Sequence, residues 1–372
     1  MRQKVFALVM LAVLCTALSG AASAQKPTPP PPPGGGGGGG NNQSAVFDPS
    51  YQPVPSTYIG IGTVTMGEGT LFEDFSLSSD CPTGDRFVSG ATGIVTAEDG
   101  SEWYVPMLST EDGAGTVDMF NSCSGRGDNA TALDNLETVV IDEDGEVVTA
   151  YIFADNYFEL YVNGVFVGRD NINFVPFNST VVRFQASYPM TIAVQMADWE
   201  DHYGLGMEYN TYHVGDAGFI ANFSNGLVTG ADWRVLPVYI APLDDPACVV
   251  EDAAGNPDSS DCSIQPECST SNAEVCRALH YALPEDWMTP DFDDSAWLPA
   301  TLYAADKVTN QSAYVDYTDR FGAAKFIWSG NLNLDNQVVT RITLEAPSNA
   351  TSTRLVACNW RRGSHLVPVA YG

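Results

Sequence analysis

The densest group of side chains able to do chemistry is DWEDHYG, Asp198 to Gly204. It sets Asp198, Glu200, Asp201 and His202 beside the aromatics Trp199 and Tyr203, in a loop that follows the apolar run Thr191 to Met196. Protein–sugar recognition needs that mixture: an aromatic face for the C–H side of a sugar ring, and fixed carboxylate or imidazole groups for its hydroxyls. Trp199, Asp201, His202 and Tyr203 are therefore candidate carbohydrate contacts, with glycan or polysaccharide as the partner. The competing account makes Trp199 core, as strand-ending tryptophans often are, and leaves the acids to solvate the loop.

Other catalytic patterns are absent from the sequence. There is no serine nucleophile elbow, no HExxH zinc helix and no phosphate-cradling glycine loop. His202, His213, His280 and His365 are scattered without ligand spacing. With 46 Asp+Glu, any two acids can be paired on paper as a glycosidase couple, so no pair is informative without geometry. Asp142-Glu143-Asp144-Gly145 lacks the spaced ligands of a calcium loop and reads as a hairpin turn. No catalytic residue is assigned. The expected class is a non-catalytic carbohydrate-binding protein. One alternative is an enzyme, or an accessory module of one, acting on polysaccharide; another is an acidic, calcium-associated matrix protein.

Arg2 and Lys4, the apolar run Val5 to Leu18 and the small residues Ala22-Ser23-Ala24 predict an export signal over 1–24. Two of the 16 Lys+Arg fall in it, so the net charge of −30 becomes −32 after cleavage. Such a field disfavours nucleic acid and anionic membrane surfaces as partners, and no later segment is apolar and long enough to insert in a membrane as a helix. In an exported chain Cys81, Cys123, Cys248, Cys262, Cys268, Cys276 and Cys358 are expected in disulfides, with one thiol left over. Cys81 with Cys123 is a plausible local bridge, and Cys248 to Cys276 form a cluster in a polar loop. Asn42, Asn129, Asn178, Asn222, Asn310 and Asn349 head glycosylation sequons.

The elements that must position these groups are β-strands. Residues 25–50 form a Pro-then-Gly tether. Beyond it, runs rich in Val, Ile, Thr, Tyr and Phe are punctuated by Asp144-Gly145, Asn163-Gly164 and Asn225-Gly226. In ADNYFELYVNGVFVGRD, Ala154 to Asp170, Phe158, Leu160 and Val162 alternate with Tyr157, Glu159 and Tyr161. Asn163-Gly164 then supplies the positive-φ pair of a type I′ turn. Thr138 to Ile141 with Val147 to Tyr151 reads as a second hairpin. Asn272 to Tyr281 is the fairest short-helix candidate. The organisation expected is a sandwich over 51–243, a Cys-rich connection over 244–283, and a second β module or completing half over 284–362, followed by a tail over 363–372.

The 154–170 hairpin resembles a signature of the galactose-binding-like family, and DWMTPDFDDSAWLPATLY, Asp286 to Tyr303, resembles another. YPMTIAVQMADW, GDAGFIANFSNGLVTGADWRV and AKFIWSGNLNLDNQVVTRI extend the resemblance to about Val139–Ile342, with a gap over the cysteine cluster. It implies an all-β jelly-roll β-sandwich, with the two signatures here in reversed order. In such modules the position of Asp155 and Asn156 tightens a loop or ligates a structural cation, which for hard oxygen donors would be calcium. Trp287 and Trp297 are expected to bury against the sandwich, with Asp293, Asp294 and Ser295 bonding the amides of the turn.

Overall fold

Period-two alternation of apolar residues is carried through into paired strands. The protein is seen in a computed structural model that describes residues 136–170, 178–198, 215–268, 275–309 and 312–346, with the shorter stretches 55–56, 59–60, 67–69, 88–97, 102–109, 116–121, 133–134 and 204. In chain order the principal strands begin with β1 (Thr116–Asn121), β2 (Glu146–Asp155), β3 (Tyr157–Val162), β4 (Val165–Arg169), β5 (Asn178–Ala186) and β6 (Met190–Ala197). They continue as β7 (Gly218–Phe223), β8 (Arg234–Ile240), β9 (Arg277–His280), β10 (Thr301–Tyr303), β11 (Phe326–Trp328) and β12 (Asp335–Leu344).

One sheet has the order β4-β3-β6-β12-β8-β9, and the other β10-β11-β7-β2-β5-β1. All these pairings are antiparallel. Val148, Ala150 and Ile152 of β2, Phe184 of β5 and Phe219 and Phe223 of β7 share one core with Phe158 and Leu160 of β3 and Ile192 and Val194 of β6. The chain is therefore an all-β sandwich. A separate four-stranded sheet comprises Pro55–Ser56, Gly67–Gly69, Val88–Ala97 and Glu102–Ser109.

Both outer faces are covered as well, which explains why β6 is buried at every residue. On the second sheet, the short helices α1 (Ala305–Val308), α2 (Ser312–Val315) and α3 (Thr318–Phe321) lay Val308, Ala313 and Phe321 over Phe153, Ile220 and Phe326. Gly218 permits this approach, because a Cβ there would lie 2.5 Å from Val308 Cγ1. On the first sheet, Trp287 and Trp297 pack on Ala193, Leu236, Val238 and Val339. Among the described residues no helix is long and apolar enough to cross a membrane.

The segment carrying those tryptophans is held by Arg341, a buried guanidinium in β12. Its Nε donates to Asp294 Oδ2 at 2.9 Å, Nη1 to Trp287 O and to Thr289 O at 3.0 Å, and Nη2 to Phe292 O at 3.2 Å. The guanidinium also lies 5.1 Å from the Phe292 ring centroid. Asp293 accepts from the Ser295 amide as expected, whereas the Asp294 carboxylate is turned to the arginine.

Three local expectations change. Val139–Val140 does not form a hairpin with β2: it runs parallel to β5, which lies between them. The Asp142–Gly145 turn straddles the end of β5, with Gln185 Nε2 donating to Glu143 O and Gly145 O at 2.8 and 3.1 Å. Arg277–His280 is strand rather than helix, because its backbone completes the edge of β8. The cysteine cluster closes as Cys248–Cys262 and Cys268–Cys276. The export signal, the tether, the 363–372 tail, Cys81, Cys123 and Cys358 lie outside the described residues.

Arg341→Met should lower stability by about 3–5 kcal/mol, since it strands the buried Trp287 carbonyl, two partly buried carbonyls and the Asp294 carboxylate. Arg341→Lys should recover only part of that, because one ammonium cannot serve a planar fork of acceptors. Asp294→Asn should cost less, as its carboxylate is partly exposed. Urea unfolding midpoints check the order; a neutral Arg341→Met would show that the loop packs without its guanidinium.

Candidate functional site

The ends of β2, β6 and β4 and the starts of β3, β7 and β12 meet at one end of the sandwich. Asp155 closes β2 in register with Gly218 of β7, while Tyr157 opens β3 opposite Ala197 of β6. Between them Asn156 turns the chain from one sheet to the other. Its backbone N–H donates to Ala197 O at 3.0 Å, and its Nδ2 donates to Asp155 Oδ1 at 3.0 Å. Both side chains are buried. Asp198 follows Ala197 directly, and Asp170 reaches the same end through its N–H bond to Phe158 O at 3.0 Å. Asp155, Asp170 and Asp198 are thus three buried carboxyl groups at one end of the sandwich.

Asn336 ties down the loop that begins at Asp198. Its backbone carbonyl accepts the Asp198 N–H at 2.7 Å, and its side-chain Nδ2 donates to Gly204 O at 3.0 Å. One buried residue therefore anchors both ends of the 198–204 segment. Asn336 Oδ1 is buried with no hydrogen-bond partner among the described residues. Trp199, Asp201, His202 and Tyr203 themselves lie outside the described residues. The entry to β7 is held nearby at Gly215, with φ +85°, where a Cβ would fall 2.0 Å from Asn333 Cα. Only glycine fits both that backbone conformation and that approach.

A second polar group lies on β3 and β4. Glu159 accepts from Tyr157 Oη at 2.7 Å and from Tyr161 Oη at 2.8 Å, and Arg169 Nη1 is 3.9 Å from its Oε1. Burial first, and then the Glu159 charge, push both phenols well above their ordinary range. A carboxylate with both oxygens committed to hydroxyls is fixed in direction, which suits recognition better than proton transfer. Spacing already put Tyr157, Glu159 and Tyr161 on one face of a strand, so this cluster was readable. Asn336 was not: its partner Gly204 is 132 residues away and no local pattern joins them.

Chemically, this end of the sandwich offers fixed oxygen acceptors and amides. Asp155 and Asn156 have the oxygen donors calcium takes. Among the described residues no three His, Cys, Asp or Glu side chains converge on a common metal position. Asn222, one of the sequon asparagines, lies within β7 and donates its Nδ2 to Arg320 O at 2.6 Å.

Asn336→Ala keeps the backbone bond to Asp198 and removes the bond to Gly204. It should cost about 1–2 kcal/mol and speed proteolytic cleavage within 199–203 relative to the parent. A cleavage rate equal to the parent's would show that the side chain does not hold the loop.

No family model matches this chain, and neither a curated protein nor a solved structure matches it.

Proposed function

We propose that this chain is an exported, non-catalytic carbohydrate-binding protein of galactose-binding-like, jelly-roll type. It takes glycan at the sandwich end built from Asp155, Asn156, the 198–204 loop and Asn336. The observation that carries the reading is the bond from Asn156 N to Ala197 O. It sets Ala197, which leads into the stretch rich in aromatic and acidic residues, against the Asp155-Asn156 corner, and both stretches stand out separately in the sequence. Sugar sites are assembled in this way, from loops of different strands held by a rigid sheet that supplies few but fixed polar groups. The disulfides Cys248–Cys262 and Cys268–Cys276 accord with export.

In this reading Trp199 or Tyr203 stacks on the sugar ring, and Asp201 and His202 accept or donate to its hydroxyls. A structural calcium bound through Asp155, Asn156 and neighbouring carbonyls would brace the corner. A glycan array, run in calcium and in chelator with magnesium as the control for charge screening, identifies the ligand class. Tyr203→Ala, Asp201→Ala and His202→Ala should then each weaken binding by roughly 5- to 150-fold, the equivalent of about 1–3 kcal/mol. Each variant must keep the parent's melting temperature. Silence across the array, or binding indifferent to all three changes, would overturn the site and favour an acidic matrix component instead.

A further inference from the structure

Next to Asn336, β12 opens with a carboxyl group in unusual surroundings. Asp335 is buried, and its side chain bonds only to neutral groups. Ser259 Oγ donates to its Oδ1 at 2.5 Å and Ser329 Oγ is bonded to its Oδ2. Its carbonyl accepts from Trp328 Nε1 at 2.8 Å. Among the described residues no Lys, Arg or His pairs with it, and the nearby charge named below is another acid. An ionised carboxylate in such a place lacks the compensation that buried charge requires.

A proton, by contrast, has a defined place. With Oδ2 protonated, Asp335 donates to Ser329 Oγ. The serine's own hydrogen then turns to Asn331 O, 3.4 Å from Oγ. Ser259 continues to donate to Oδ1, so every hydrogen in the chain has an acceptor. The same network joins two parts of the fold. Ser259 lies within the loop closed by Cys248–Cys262, and its carbonyl accepts from Asn331 Nδ2 at 2.7 Å. A Cβ on Gly330 would stand 3.2 Å from Ser260 Cβ, so the two segments lie close together. Tyr303 Oη, donating to Ser329 O at 2.9 Å, secures the other side.

We propose that protonated Asp335 is a latch that holds the disulfide-bonded segment 248–262 against the turn between β11 and β12, and that loss of its proton releases this segment.

Burial, reinforced by the like charge of Asp258 and opposed by the two serine hydroxyls and the Asn331 backbone, raises the Asp335 carboxyl to about 7. The other titratable groups around it do not compensate. Tyr281 and Tyr303, each pushed up to about 12 chiefly by burial, remain neutral through this range. His280, pushed down to about 4 by burial, is neutral above that value. Asp258 and Glu251, whose charges act on Asp335 and Tyr281 respectively, are acids and add no positive charge. The folded carboxyl keeps its proton to about pH 7, whereas the released one gives it up near 3.8. The latch is therefore fully effective below about pH 4 and is lost as pH rises through 7. His280 acts in the opposite sense, its contribution falling as pH drops from 6.5 towards 4.

Hydrogen exchange of backbone amides in 244–264, at pH 5 and pH 8 and corrected for intrinsic rates, tests the latch. Opening of the segment should increase on the order of 100-fold between these values. Asp335→Asn, which reproduces the donor and acceptor of the protonated acid, should abolish that increase while the remaining sheet amides behave as in the parent. Protection independent of pH in the parent, or an identical loss in Asp335→Asn, would overturn the proposal. Should that variant fail to fold, the carboxyl carbon of Asp335 in the parent decides by its NMR titration. A midpoint near neutral, coincident with the exchange transition, supports the latch; an ordinary carboxylate midpoint overturns it.

Discussion

The burial of one guanidinium, that of Arg341, places a constraint on most of this sandwich. Arg341 needs a full fork of acceptors once it is out of water, and it finds them in Asp294 and in the carbonyls of Trp287, Thr289 and Phe292. The 286–297 loop therefore cannot lie elsewhere without leaving a buried cation unpaired. That loop brings Trp287 and Trp297 onto the first sheet and covers a face that would otherwise be wet. Because Arg341 belongs to β12, the arrangement also requires β12 to stand between β6 and β8.

β12 connects the rest through two further buried polar residues, Asp335 and Asn336. Asp335 at its start meets the disulfide-closed segment, and Asn336 meets both ends of the 198–204 loop. The apolar residues between serve the two faces in turn, with Val338 in the central core and Val339 under the tryptophans. A single strand thus couples the core, the covering loop, the cysteine segment and the candidate binding end. The cysteine segment contributes little hydrophobic cover of its own: Cys248, Val249, Cys262 and Ile264 lean on Ile240, Leu243 and Leu334. Disulfides suit such a segment, since they limit its unfolded freedom where a core cannot.

The candidate binding end combines rigidity with loops. Its carboxyl and amide groups sit at strand termini, where the ladder fixes the backbone and the side chains are free to be specialised. Neighbouring loops can then vary around a fixed frame. The Glu159 cluster lies along the same strand from Tyr157, with its acceptor oxygens already aimed by two phenols.

The sequence by itself determined the local pieces. The alternation in Tyr157–Val162 assigned each side chain to a face, and Asn163 and Gly164 take φ of 50° and 80°, as the two-residue turn demands. The burial of Trp287 and Trp297 and the bond from Ser295 N to Asp293 were also legible, because they depend on residue type and on neighbours a few positions away. Tertiary structure alone decided which edges meet. Val139–Val140 pairs with β5 and not with the strand after its turn, Arg277–His280 becomes an edge of β8, and β12 enters the middle of a sheet. The physical reason is that an unpaired strand edge presents the same N–H and C=O groups whatever its sequence. The choice among edges depends on burying both faces together and on finding partners for Arg341, Asp335 and Asn336. Those partners lie far along the chain, where no local spacing records them.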